Sequence, residues 1–291
     1  MAQDRRLEWV ILTSPLVLFL LLFLGFPIVV NLIYSLSAID FQTLSRPTLT
    51  GLGNYRDVLG DPAFWQASWF SLRFALVTAL LQCTAGLALA IFLDPILRQH
   101  NWLLAILMAP MMVAPALVGL MYRLLLHEFV GPVPHYLWLW FNDSPAFLSG
   151  GNAFWTVVTV ETLQWTPFAL LLFTVAYRGI SAEVREAADL DGASAWTKLT
   201  RIELPLMAPT IVIAFLIRFI DGFRVFDNIY VLVGSGPGGS TASLSIYIYE
   251  TFFKQAAIGK AVAASVLLFL AFLVVLVALN NVARRRELQR Q

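Results

Sequence analysis

Cysteine is almost absent from the 291-residue sequence: Cys83 is the only one, so no disulfide can form within the chain. Histidine is nearly as scarce. His100, His127 and His135 are scattered and, with Cys83, match no metal-ligand spacing, which argues against metal catalysis. Charge is low too, at 13% against the quarter usual for soluble domains, and its balance of +1 offers nucleic acid no basic, aromatic-interleaved stretch. A nucleotide-binding P-loop is also missing. The nearest stretch, Gly234-Ser235-Gly236-Pro237-Gly238-Gly239-Ser240, lacks the lysine and reads as a flexible turn. No nucleophile–base set or carboxylate pair stands out in a loop, so an enzyme or a scaffold is the weakest functional class.

What is present is apolar. Hydrophobic residues make up 59% of the chain and mean hydropathy is +0.77, the composition of an integral membrane protein. A spanning helix needs about 20 apolar residues. Six runs qualify: Trp9–Ser35, Phe70–Leu93, Leu103–Leu126, Trp155–Tyr177, Pro209–Val233 and Ala261–Ala283. They are continuous and not alternating, which excludes a barrel and gives an all-α polytopic protein with six transmembrane helices. The first run is too long for a cleaved signal peptide and reads as an anchor. Residues 1–291 read as one transmembrane domain. Basic residues concentrate in the tails and in the second and fourth loops (Arg5, Arg6, Arg98, Arg178, Arg185, Lys198, Arg201, Arg284, Arg285, Arg286, Arg290), which places both termini and the fourth loop in the cytoplasm. Trp65, Trp69, Trp138 and Trp140 read as interface anchors.

That fourth loop, about 178–208, is longer than a connection needs. Ser181 can cap a first helix, Gly192 can end it in the left-handed conformation, and Ala193 to Thr200 can form a second, which Pro205 stops before Pro209 opens the next span. Such a knob cannot bury Val184, Leu190, Trp196 and Leu199 by itself. The same pattern also fits an amphipathic loop packed on its own bundle.

The order Glu186-Ala187-Ala188, Asp191-Gly192-Ala193, Ile202 and Leu204-Pro205 resembles the EAA loop of permease subunits in bacterial binding-protein-dependent ABC importers, within them the sugar-importing maltose, glycerol-phosphate and polyol branch. "GLGNY" at Gly51–Tyr55 and "FRVFDNIYVLVGSGPGG" from Phe223 support the match. The resemblance implies a type I ABC importer permease fold in the bacterial inner membrane. It implies a second homologous permease, a cytoplasmic ATPase dimer that holds ATP and Mg, a periplasmic or extracellular solute-binding protein, and no cofactor on this chain. Glu186, Ala187, Ala188, Asp191, Gly192, Ala193, Leu204 and Pro205 would then couple to the ATPase.

By the same resemblance, solute would lie against Gln164, Trp165 and Phe168 on the fourth span and Arg218, Asp221, Gly222 and Val225 on the fifth. The residue types suit a sugar, with aromatic rings for a pyranose face and polar groups for hydroxyls. Arg218 admits an anionic group, so a sulfonated or phosphorylated sugar stands beside a disaccharide, polyol or glycoside. An internal Arg–Asp pair that merely neutralises itself is the competing reading of Arg218, Asp221, Arg224 and Asp227. Glu161, Arg73 and Gln82 are secondary candidates, and Arg123 and His127 read as snorkelling. The alternative function is an ion-coupled secondary transporter, for which no inverted repeat is visible in the sequence.

Overall fold

The computed structural model describes residues 12–44 and 46–288. Arg5, Arg6 and Arg290, part of the charge argument for sidedness, lie outside them. The chain folds as two compact units, one from the residues up to Phe64 together with those from Tyr247 onward, the other from Trp65–Ile246.

In the first unit, helix α1 (Leu12–Ser35) is apolar all round and packs against α12 (Ile258–Leu288). A two-residue antiparallel pair, β1 (Ser37–Ala38) and β2 (Thr48–Leu49), follows α1 and precedes the short α2 (Gly53–Leu59). The "GLGNY" stretch has a mechanical role here. Asn54 donates to the carbonyls of Ser35 (3.0 Å) and Ser37 (2.8 Å), and the Tyr55 hydroxyl donates to Ser35 Oγ (2.8 Å), so α2 clasps the end of α1.

Asp61 ties the same unit together, accepting from Lys260 Nζ (2.7 Å) and the Tyr247 hydroxyl (2.9 Å). Burial pushes its carboxyl up, but the bonds from Lys260, the Ala63 amide and Tyr247 outweigh that and hold it below the usual carboxylate range. A depressed folded-state value stabilises the protein above the unfolded value and loses that stability as pH falls through the folded value, below about 4. Asp61→Asn is therefore expected to cost about 1–2 kcal/mol near neutrality and to flatten the acid limb of the unfolding profile. Parallel acid limbs for the two proteins, followed by thermal unfolding in detergent, exclude Asp61 as the source.

The second unit holds α3 (Pro62–Gln99) from Trp65 onward, α4 (Trp102–Met112), α5 (Pro115–Leu125), α6 (Pro132–Phe141), α7 (Asn152–Arg178), α8 (Ala182–Leu190), α9 (Ala195–Phe223, with a π-helical turn at Leu199–Glu203) and α10 (Asp227–Leu232). The following α11 (Leu244–Tyr249) crosses the boundary between the units. Small residues let the long helices approach. A Cβ on Gly86 would lie 2.7 Å from that of Ala169, and one on Gly222 would lie 3.1 Å from Ala75 Cα. One core gathers Phe70, Phe74, Val157 and Ile229; another gathers Leu170, Phe173, Met207 and Ala214.

Among the described residues four helices are long and apolar enough to cross a membrane: α1, α3, α7 and α9. The expected third span is not one helix. It is α4 and α5, bent by 83° at Val113–Ala114, because Pro115 lacks an N–H and forces Ala114 out of the helical region (φ −58°, ψ 134°). The expected fifth span is likewise split, α9 ending at Phe223 and α10 starting at Asp227. The sixth expected run, Ala261–Ala283, lies within the single helix α12. The Gly234–Ser240 run is a closed turn and not an open one: the Thr241 amide donates to Ser235 O, the Thr241 hydroxyl to Gly234 O (both 3.0 Å), and Gln66 reaches Gly238 O at 3.3 Å.

Candidate functional site

The fourth-loop knob is built by two helix ends. Ser181 occupies the N-cap of α8 but makes no side-chain cap bond; Ser194 caps α9, accepting from the Thr197 amide at 3.2 Å. Between them Gly192, at φ +70°, closes a double C-cap in which its own amide reaches Asp189 O (3.1 Å) and the Ala193 amide reaches Ala188 O (3.0 Å). Pro205 does not stop the second helix. The π-helical turn moves the backbone bonds to five-residue spacing, with the Leu204 amide on Leu199 O, so α9 runs from Ala195 through Pro205 and Pro209 into the membrane.

Two ion pairs brace the knob. Lys198 Nζ meets Asp189 at 2.5 Å. Arg185 lies over the Tyr177 ring (4.3 Å), donates to Tyr177 O (2.8 Å) and pairs with Glu203 (3.1 Å). Nearby, Asp94 joins Arg98 and Arg178, each at 2.8 Å. Ala188 is buried and Ala193 and Leu204 are half-buried, while Glu186, Ala187, Asp191, Gly192 and Pro205 face outward. Leu190 is 90% exposed and Trp196 72%, which leaves an apolar cap that none of the described residues covers.

The second cluster lies where α7 faces α9. The Arg218 guanidinium sits 4.5 Å from the Trp165 ring and 5.1 Å from the Phe168 ring, in cation–π contact with both, and only 3% of the residue is exposed. One nitrogen bonds Asp221, which also accepts from Arg224 at 2.9 Å; Nε and Nη1 of Arg218 have no hydrogen-bond partner among the described residues. One carboxylate thus serves two guanidinium groups, and the group has buried N–H donors to spare. Trp165 and Phe168 are half-buried beside it.

The other expected contacts are placed differently. Gly222 is buried against Ala75 and Thr78 of α3. Val225 lies past the end of α9, not on its face; its carbonyl accepts from the Ser243 hydroxyl (2.6 Å) and its side chain packs on the first core. Gln164 is spent within the fold: its amide nitrogen donates to Val113 O (3.0 Å), the carbonyl freed by the α4–α5 break, and its oxygen accepts from Asn228 (2.8 Å). Asn228 also donates to Glu161 (2.5 Å), and Gln82 donates to Glu161 O (3.1 Å). Asn228 was not legible beforehand. It resembles any polar residue near a span end until the break after Phe223 turns it inward. Arg123 does not snorkel freely, since its Nη1 donates to Val231 O (3.1 Å) at the end of α10. Gln164→Leu, which leaves the Val113 carbonyl without its partner, is expected to cost about 1–3 kcal/mol. The check is the thermal midpoint; an unchanged midpoint rejects this brace.

The model of a protein family described as the binding-protein-dependent transport system inner membrane component matches residues 6–288. This chain belongs to that family. Similar relatives agree with the assignment. The probable ABC transporter permease protein y4oQ of Sinorhizobium fredii is 33% identical, over 87% of this chain and 82% of that one. The trehalose/maltose transport system permease protein MalF of Thermococcus litoralis is 30% identical, over 94% and 92%. The sulfoquinovosyl glycerol transport system permease protein SmoG of Agrobacterium fabrum is 28% identical, over 97% and 92%. The fold matches a solved bacterial ABC transporter involved in the import of the acidic polysaccharide alginate, with a TM-score of 0.83 at 21% identity, over 97% and 98% of the two chains.

Membership makes the chain an inner-membrane permease component and leaves the ion-coupled carrier without support. Broken helices, often a feature of such carriers, occur in this permease as well, so discontinuity alone does not separate the two classes.

Proposed function

We propose that this permease is the translocation subunit of an ATP-driven importer whose solute is a sugar carrying a negative charge, a uronic acid or a sulfonated or phosphorylated glycoside. The single observation that carries the importer reading is the braced knob with its uncovered Leu190 and Trp196. A polar loop in a membrane protein has no reason to display an apolar cap unless another protein covers it. The partner is a cytoplasmic ATPase dimer that holds ATP and Mg; this chain binds neither. A second homologous permease completes the pathway, and a solute-binding protein delivers the solute. The basic residues around Asp94 and the knob support a cytoplasmic side for the knob, and those of the two tails support the same side for both termini.

Closure of the ATPase dimer then tips the knob, and α9, continuous from Ala195 to Phe223, carries the motion to Arg218 without a hinge at Pro205. The relatives named for trehalose/maltose and sulfoquinovosyl glycerol transport support a sugar. The spare donors of Arg218 between two aromatic rings support an acidic one. The test is reconstitution of the permease with its partners and assay of ATP hydrolysis with solute-loaded and empty binding protein. Stimulation by the loaded form is expected. Solute movement that needs no ATPase rejects the reading.

A further inference from the structure

We propose a second solute site at the opposite end of the Trp65–Ile246 unit from the knob, one that takes the acidic sugar ring before it reaches Arg218. This inference rests on the import reading above. A cavity of 570 Å³ opens there between α3, the start of α7 and the Gly234–Ser240 turn, a volume within the range of small-molecule sites. Arg73 lines it. Its guanidinium lies 4.0 Å from the Phe154 ring, and among the described residues no carboxylate pairs with it. An arginine within an apolar helix is costly unless it faces a partner or a water-filled cavity, and this one faces a cavity.

The other walls suit a sugar. Phe154 is held edge-on by Phe70 (5.8 Å, 88°) and Phe74 (6.4 Å, 83°) and carries Arg73 over its ring, and the exposed Trp155 beside it offers aromatic surface for a pyranose face. Ser240, exposed on the closed turn, presents its hydroxyl, while that of Thr241 is spent on Gly234 O. Gly151 keeps its wall bare, since nothing lies within 4 Å of where its Cβ would be. One guanidinium braced on an aromatic ring, the open Trp155 ring and the Ser240 hydroxyl suit a hexuronate or a sulfonated hexose. Its acidic group pairs with Arg73, and the same group meets Arg218 deeper in the path.

Buried Cys83 is the only native thiol, which makes a clean probe available. Ser240→Cys in a Cys83→Ser background, in the full chain in phosphatidylcholine nanodiscs, is modified with a sulfonate-bearing and a trimethylammonium-bearing methanethiosulfonate, each rate normalised to a free thiol. The anionic reagent is expected to react about tenfold faster, and Arg73→Gln to remove most of that preference. Millimolar glucuronate should slow the reaction at least threefold where glucose does not. Gly151→Cys, at an ordinary helical φ of −67°, gives a second thiol on the facing wall should the first variant not fold. Arg218→Ala should leave these rates unchanged, so loss of protection with transport intact removes the outer site and leaves the importer reading standing. A charge preference insensitive to Arg73, or glucuronate no better than glucose, overturns the proposal. Protection by phosphatidylglycerol in the discs but not by glucuronate overturns it as well, and marks a lipid headgroup site.

Discussion

Gly192→Pro abolishes ATP-driven transport and leaves membrane insertion intact. Gly192 sits at φ +70°, and proline is locked near −65°, so the double C-cap between α8 and α9 cannot form. The amides of Gly192 and Ala193 then lose Asp189 O and Ala188 O, and the Lys198–Asp189 pair loses its register. A Cβ on Gly192 would have no neighbour within 4 Å among the described residues. Gly192→Ala therefore meets only backbone strain of about 1–2 kcal/mol and should transport at a reduced rate. The contrast separates backbone geometry from bulk. Glu186→Lys, on the exposed face, should weaken ATPase attachment without altering the fold, and Trp196→Ala should weaken it by about 2–4 kcal/mol, or roughly 30- to 1000-fold. Pull-down of the ATPase and transport in vesicles are the measurements. Full transport by Gly192→Pro removes the knob from the mechanism.

Arg218→Ala raises the solute concentration for half-maximal transport about 30-fold or more, the cost of about 2–5 kcal/mol for removing one partner of a buried charged contact. Folding should survive. Asp221 keeps Arg224 at 2.9 Å and is itself one-third exposed, so it is not left as a lone buried charge. Arg218→Lys should rescue little, because an ammonium lacks the planar face that stacks on Trp165 and Phe168 and the donors aimed between them. A purely neutralising Arg218 makes the opposite pattern: a lower yield of folded protein, with unaltered half-saturation in what remains. Transport measured against folded protein, by size-exclusion profile, tells the two apart.

The network around Glu161 binds the fold to itself. Gln82, Glu161, Gln164 and Asn228 are joined by hydrogen bonds, and Gln164 also meets the orphan carbonyl of Val113. In an apolar medium an unpaired carbonyl is expensive, and the two split spans are tolerated because this network and the contact of α5 with α10 absorb their free backbone groups.

By itself the sequence determined that the protein is helical and spans a membrane, since only long apolar runs bury a backbone in lipid. Local chemistry placed the knob as well: Gly192 ends α8 because a left-handed residue there is cheap only for glycine. The resemblance named Arg218, Trp165 and Phe168 together, and the structure brings those three within cation–π distance. Tertiary structure alone decided the rest. Whether Pro115 kinks a helix or breaks it, and whether Pro205 stops one, depends on what receives the displaced carbonyls and amides. At Val113 the receiver is Gln164, distant in sequence; at Pro205 it is a π-helical turn. Where a helix breaks also sets which way every later side chain points, so Asn228 turned inward and Val225 left the face it shared with Arg218 in an unbroken helix. Hydrophobic periodicity carries no information on such partners, because the bond that decides the break joins residues from different helices.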